Sequence, residues 1–156
     1  MRTLVVAVGT RMPQWVAAGF EEYARRMPRE CRIELIEIKP ERRAAGMNAA
    51  RVLAREAQRI EAALPTGCTR VLLDEHAAAL SSVQLAARLA AWRARGKDLA
   101  FLIGGAEGLA VTLKASAAAT LSLSAMTLPH GLARVLLAEQ LYRAHTIASG
   151  HPYHRE

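Results

Sequence analysis

Apolar and polar positions come in blocks along this chain, and their periods predict strands and helices in turn. Thr3–Val8 is an unbroken apolar run rich in valine, the pattern of a strand buried on both faces. Pro13 suits the first turn of a helix running to about Met27, with Trp15, Val16, Phe20 and Tyr23 as inward candidates; Pro28 stops it. Arg32–Lys39 alternates, Ile33, Leu35, Ile36 and Ile38 mixing with Glu34 and Glu37, as in a half-buried strand. Pro40–Gly46 is a basic loop with Arg42 and Arg43. Asn48 can cap a helix to Leu64, ended by Pro65-Thr66-Gly67. Arg70–Leu73 predicts a third strand. Ser81 or Ser82 caps a helix to about Arg95, with Gly96 at its C-cap. Leu99–Ile103 predicts a fourth strand, Leu109–Ala118 a short helix, Leu121–Ser124 a fifth strand and Leu132–Ile147 a last helix.

Such alternation predicts an α/β fold: a mostly parallel sheet flanked by helices. Ligands in such sheets bind outside the carboxyl ends of the strands. No repeat, low-complexity linker or composition break divides the chain, so one domain over residues 1–156 is expected.

Composition narrows the class. At 156 residues and 52% hydrophobic content, long disorder is disfavoured. Cys31 and Cys68 form no CxxC, which excludes a disulfide framework and a zinc ribbon; no metal is expected. The balance of 21 Lys+Arg to 14 Asp+Glu gives +7. Residues 1–60 hold 12 basic and 7 acidic side chains, a net of +5. A polyanionic partner fits that balance. The aromatics do not gather in one strand, against a base-stacking sheet, and no helix-turn-helix or zinc-finger pattern is present. No charge lies between Lys114 and Arg134, long enough for a membrane span. That reading is rejected, because Ser116, Thr120, Ser122, Ser124 and Thr127 interrupt the stretch and Pro129-His130-Gly131 closes it. A cytoplasmic protein is expected.

Three places can carry chemistry. Ile103-Gly104-Gly105-Ala106-Glu107-Gly108-Leu109 follows the fourth strand; Gly104 and Gly105 would let a ligand approach the backbone. Ala106 breaks the dinucleotide fingerprint, and no Gly-Lys-Ser/Thr makes a P-loop. Leu121 to His130 offers small and aliphatic side chains, so its backbone amides and carbonyls would meet a flat neutral heterocycle such as adenine. The third is the ending, His151-Pro152-Tyr153-His154-Arg155-Glu156, where an aromatic, an arginine and imidazoles can stack, grip phosphate and move protons. Taken singly, a tight turn, a core strand with its exit loop and a frayed tail account for all three.

Together these residues resemble a known family. Leu4-Val5-Val6-Ala7-Val8-Gly9-Thr10, Glu34-Leu35-Ile36-Glu37-Ile38, Leu102-Ile103-Gly104-Gly105-Ala106-Glu107-Gly108-Leu109, Leu123 to His130, Ala138-Glu139-Gln140-Leu141-Tyr142-Arg143-Ala144 and the ending stand in the same order as in the RlmH family of 23S rRNA pseudouridine N3-methyltransferases, of the SPOUT superfamily. The resemblance covers essentially the whole chain. It implies a carboxyl-terminal trefoil knot, which general rules of topology would steer away from. It also implies S-adenosylmethionine bound in that knot by Leu73, Gly104 and the run Leu123, Ser124, Ala125, Met126, Thr127 and Leu128; Gly105 joins them as part of the glycine turn.

The implied reaction is methyl transfer to N3 of a pseudouridine in 23S rRNA of the assembled ribosome. N3 carries a proton that must leave, so a base or stabilisation of the imide anion is expected. The tail is the candidate source: Tyr153 packing on the target base, His154 as base, Arg155 holding phosphate or the anionic ring. The family's homodimer would let that tail serve the other subunit. Arg134, Arg143 and His151 are candidate RNA contacts, the two arginines also candidate dimer contacts; Glu139 and Tyr142 read as structural, and His76 as a surface-loop residue. Two alternatives stay open: another SPOUT RNA methyltransferase, and a non-catalytic ribosome-binding or assembly factor.

Overall fold

A computed structural model describes residues 1–154. The chain runs β1 (Thr3–Val8), α1 (Gln14–Ala24), a 3-10 turn at Arg29–Cys31, β2 (Ile33–Ile38), α2 (Ala49–Ala63), β3 (Thr69–Leu73), α3 (Ser82–Arg93), β4 (Leu99–Ile103), α4 (Val111–Ala115), β5 (Ala119–Leu121) and α5 (His130–Ser149). The five strands form one parallel sheet in the order β2-β1-β4-β3-β5.

β1 and β4 occupy the middle, and every residue of both is buried, which is why both read as continuous apolar runs. Their two faces meet different helices. Val5, Ala7, Phe101 and Ile103 pack with side chains of α1, α3 and α5. Leu4, Val6, Val8, Ala100 and Leu102 pack with α2 and α4. Connections leading one way along the sheet thus cross on one face and those leading back on the other, as a uniform crossover hand demands.

The N-caps of α2 and α3 follow the sequence signals, whereas α3 stops at Arg93 with Ala94 as its C-cap, two residues before the expected Gly96. The Asn48 side chain accepts the Arg51 amide at 3.0 Å. Ser81 and Gln84 close a reciprocal capping box. Two expectations shift. Trp15 is 56% exposed, because Val16, Phe20 and Ala24, four residues apart, define the buried stripe of α1. The fifth strand is Ala119–Leu121 instead of Leu121–Ser124. It pairs with β3 from Val71↔Ala119 to Leu73↔Leu121, and β3 ends there, so Leu123 and Ser124 have no strand to join and enter a loop. The uncharged stretch divides among α4, β5 and the start of α5. Among the described residues no helix is long and apolar enough to cross a membrane.

Candidate active site

The connection leaving β1 runs toward β2, and the one leaving β4 runs past β3 to β5, so their carboxyl ends diverge. That divergence opens a crevice in parallel sheets. Here it is a cleft of about 760 Å³ touched by Val8, Ile103, Leu73 and Ser122 at the ends of, or just beyond, four strands. Two loops complete it, residues 104–109 after β4 and residues 122–128 after β5.

Geometry explains the glycines. A Cβ on Gly104 would lie 2.3 Å from the Gly108 carbonyl oxygen, so backbone meets backbone there and no side chain fits. The turn closes with the Gly108 amide donating to the Gly105 carbonyl at 3.0 Å. The loop after β5 is held by its own serines. Buried Ser122 donates its hydroxyl to the Ser124 carbonyl at 2.6 Å, and the Met126 amide donates to the Ser124 hydroxyl at 2.9 Å. Small polar residues thereby fix a loop conformation without core packing.

Helix α5 supplies the third wall. His130, its first residue, lines the cleft, with Nδ1 3.0 Å from the Gly104 carbonyl oxygen. Arg134, one turn later, donates Nε–H to His130 Nε2 at 2.8 Å, Nη2–H to the Gly9 carbonyl at 2.8 Å and Nη1–H to Glu37 Oε2 at 2.7 Å. An arginine can only donate, so Nε2 must accept and Nδ1 must carry the hydrogen that goes to Gly104. His130 is therefore the neutral Nδ1–H tautomer. Burial, then the Arg134 charge, hold it below the ordinary imidazole range.

Two ion pairs stand at the rim. Lys114 reaches Asp74 at 2.9 Å, and Arg43 reaches Glu107 at 2.9 Å. The His76 amide first, then Lys114, hold the Asp74 carboxyl below its usual value. His76 itself is exposed on the loop.

The structure brings together Leu73, Gly104, Gly105, Leu123, Ser124, Met126, Thr127 and Leu128 around the one cleft. Ala125 is exposed and does not line it. Arg134 corrects an expectation: it is 1% exposed with its guanidinium bound to three partners, so it braces the site and does not meet an RNA phosphate. Arg143 pairs with Glu139 at 2.6 Å, and its guanidinium carbon stands 5.1 Å from the centre of the Tyr153 ring. Tyr153 packs on Tyr142 with ring centres 4.7 Å apart and donates its hydroxyl to Glu139 at 3.0 Å. Burial and that carboxylate push its phenol up to about 12. His151 is exposed, and its Nδ1 accepts the Tyr153 amide at 3.1 Å. His154 is half-buried, with Nδ1 unpartnered among the described residues. Arg155 lies outside the described residues. No group of three or more candidate metal ligands occurs among those described.

Sequence reasoning missed His130 and Glu37. The available signal was a His–Arg pair at i, i+4 opening a helix, whose members face one way.

Fold and cleft define an α/β protein with a ligand-sized crevice, lined by apolar and polar side chains and by glycine backbone, at the carboxyl edge of a parallel sheet. The family model described as "Predicted SPOUT methyltransferase" matches residues 1–154, and the chain belongs to that family. It is 57% identical to "Ribosomal RNA large subunit methyltransferase H" of Ralstonia pickettii and 56% identical to the protein of that name from Nitrosospira multiformis, each over 99% of both chains. A solved structure, a probable methylase family protein from Haemophilus influenzae, superposes with a TM-score of 0.56 at 12% identity, covering 99% of this chain and 70% of that one; it supports the fold.

Proposed function

We propose that the chain is an S-adenosylmethionine-dependent rRNA methyltransferase acting on N3 of a pseudouridine in the large ribosomal subunit, as a cytoplasmic homodimer. The observation that carries this reading is the convergence of the family's cofactor positions on one cleft. Its residues suit the cofactor. Leu73, Ile103, Leu123 and Leu128 supply apolar walls, and Gly104 and Gly105 supply close backbone. Its volume falls within the range of roughly 300–1,000 Å³ usual for such sites. When bound, the cofactor supplies an activated methyl on a sulfonium.

The protein's own groups then divide the work. The walls position one reactant, and orientation alone can supply much of the rate. The imide proton needs a destination. His130 cannot take it, because both ring nitrogens are already engaged. Tyr153, with its phenol near 12, stays protonated at neutral pH. The tail's His154 and Arg155 are left to hold or move that proton and to meet the anionic ring or phosphate.

The tail's position supports action across a dimer. Tyr153 is anchored at Glu139, nine residues along α5 from His130, about 14 Å at 1.5 Å per residue. Tyr153 therefore docks away from its own chain's cleft. Trp15, exposed on the helix that packs against α5, offers an apolar anchor for a second copy. The knot has support of the same kind. β5 lies at one edge of the sheet, yet α5 begins against Gly104 and reaches Glu37 at the far edge, so the chain crosses the strand ends through the cleft.

The test combines calorimetry with transfer of labelled methyl to large subunits and to whole ribosomes lacking the modification. Binding and transfer to N3 are expected. Cofactor binding without transfer would point to another SPOUT substrate. No binding would favour the non-catalytic assembly factor.

A further inference from the structure

We infer that His130 is a positioning residue for the cofactor site, holding the Gly104 carbonyl through a hydrogen-bonded chain that runs Glu37–Arg134–His130–Gly104. The inference rests on the proposed cofactor reading of the cleft and adds to it a bonded chain that reaches the glycine loop from α5.

Four observations carry it. The Gly104 turn has little core packing of its own: residues 106–108 are exposed, and its internal tie is the Gly105–Gly108 contact. His130 reaches that turn from a different element, α5, 26 residues away in sequence. The imidazole is held at both ends, donating to Gly104 and accepting from Arg134, so its ring has one tautomer and one orientation. Arg134 in turn is locked by Gly9 and Glu37, at the carboxyl ends of β1 and β2. The turn is thereby tied to both central and edge strands before any ligand arrives. A wall fixed in advance spares the ligand the cost of ordering it.

The chain of bonds also predicts what can replace the histidine. Asparagine can donate its amide to Gly104, whereas leucine, of nearly the same shape, cannot. Cofactor dissociation constants, cofactor KM and kcat would be compared for the wild-type protein, His130→Asn and His130→Leu, with melting curves for all three. His130→Leu is expected to raise the dissociation constant and KM by about 3- to 10-fold, the loss typical of one hydrogen bond. Its kcat at saturating cofactor should stay within about twofold, because the group acts on binding and not on the transferred atom. His130→Asn should recover most of the affinity.

Wild-type affinity in His130→Leu would overturn the inference. So would equal losses in the two variants, which would reduce the histidine to a space-filler. If His130→Leu does not fold, Glu37→Gln decides from the partly exposed end of the chain: a rise of about 2- to 3-fold in cofactor KM is expected for a weakened relay, and an unchanged KM would overturn it. A wild-type protein that binds no S-adenosylmethionine would fail the functional reading itself, an outcome seen without any variant.

Discussion

Replacing Gly104 by alanine tests the cleft at its tightest point. The new Cβ would start 2.3 Å from the Gly108 carbonyl oxygen, whereas ordinary contact begins near 3.4 Å, so the turn must open by 1.1 Å. The turn has room to yield. Ala106, Glu107 and Gly108 are exposed, and the Arg43–Glu107 pair across it is solvent-screened and weak. Fold stability should therefore fall by only about 1–3 kcal/mol, the usual cost of overpacking. At about 2–4 °C per kcal/mol for a chain of this size, the melting temperature drops by roughly 2–12 °C. Binding suffers as well, because the Gly104 carbonyl bonded to His130 and the Gly105–Gly108 tie both lie on the displaced segment. With the wall of the cleft displaced by about 1 Å, cofactor affinity should fall by about 10- to 100-fold, roughly 1.4–2.7 kcal/mol. Gly108→Ala is the control. Its Cβ would meet nothing within 4 Å, but its φ of +82° costs an L-residue about 1–2 kcal/mol. Titration calorimetry with S-adenosylmethionine and scanning calorimetry read both effects. Gly104→Ala binding the cofactor like wild type, or Gly108→Ala losing as much affinity as Gly104→Ala, would refute the steric argument.

Three further predictions concern the supports of the site. Arg134→Met should lower stability by about 3 kcal/mol, near the small end for a broken buried pair because Glu37 stays 40% exposed, and melting by roughly 6–12 °C. Acid should destabilise the protein below pH 6.5: His130 and His145 both lie below that ordinary value in the folded state, so the unfolded chain binds more protons as pH falls, and the stability present above 6.5 is lost toward the folded pKa. Melting temperatures from pH 7.5 to 5 should show this slope, and His130→Asn should flatten part of it. Tyr153→Phe should cost about 1 kcal/mol for a partly exposed bond to Glu139, and should remove the tyrosinate transition near pH 12 from an absorbance titration. Methyl transfer should fall in that variant while cofactor affinity holds.

The fold was largely legible because periodicity and punctuation agreed. The valine run of β1, Asn48 and the Ser81–Gln84 box each have a local cause that a sequence displays. The two loops of the cleft were legible too, one by its glycines and one by its small residues. What stayed hidden depends on partners far away in the chain. β5 ends where β3 ends, and only the pairing register reveals that. Trp15 lies one residue from a buried position and on the wrong side of the helix. Arg134 carries a charge in a segment otherwise without one, and charged side chains are rarely buried unless paired. Its partners are Gly9 and Glu37, 125 and 97 residues away. Nothing local announces such a pairing.

Those separations bear on when the site comes into existence. Contacts between distant parts of a chain form late, since the intervening loop must be closed before they reward it. The guanidinium that ties β1 and β2 to α5 joins nearly opposite ends of the chain, and the His130 contact with Gly104 depends on the same helix arriving. Synthesis at about 5–20 residues per second delivers β1 to β4 well before α5 emerges. A nascent chain can hold most of its sheet and still lack the cleft. Under the proposed function, cofactor capture reports completed folding, and a stalled or shortened chain ending before α5 is expected to bind none whatever strands it had formed.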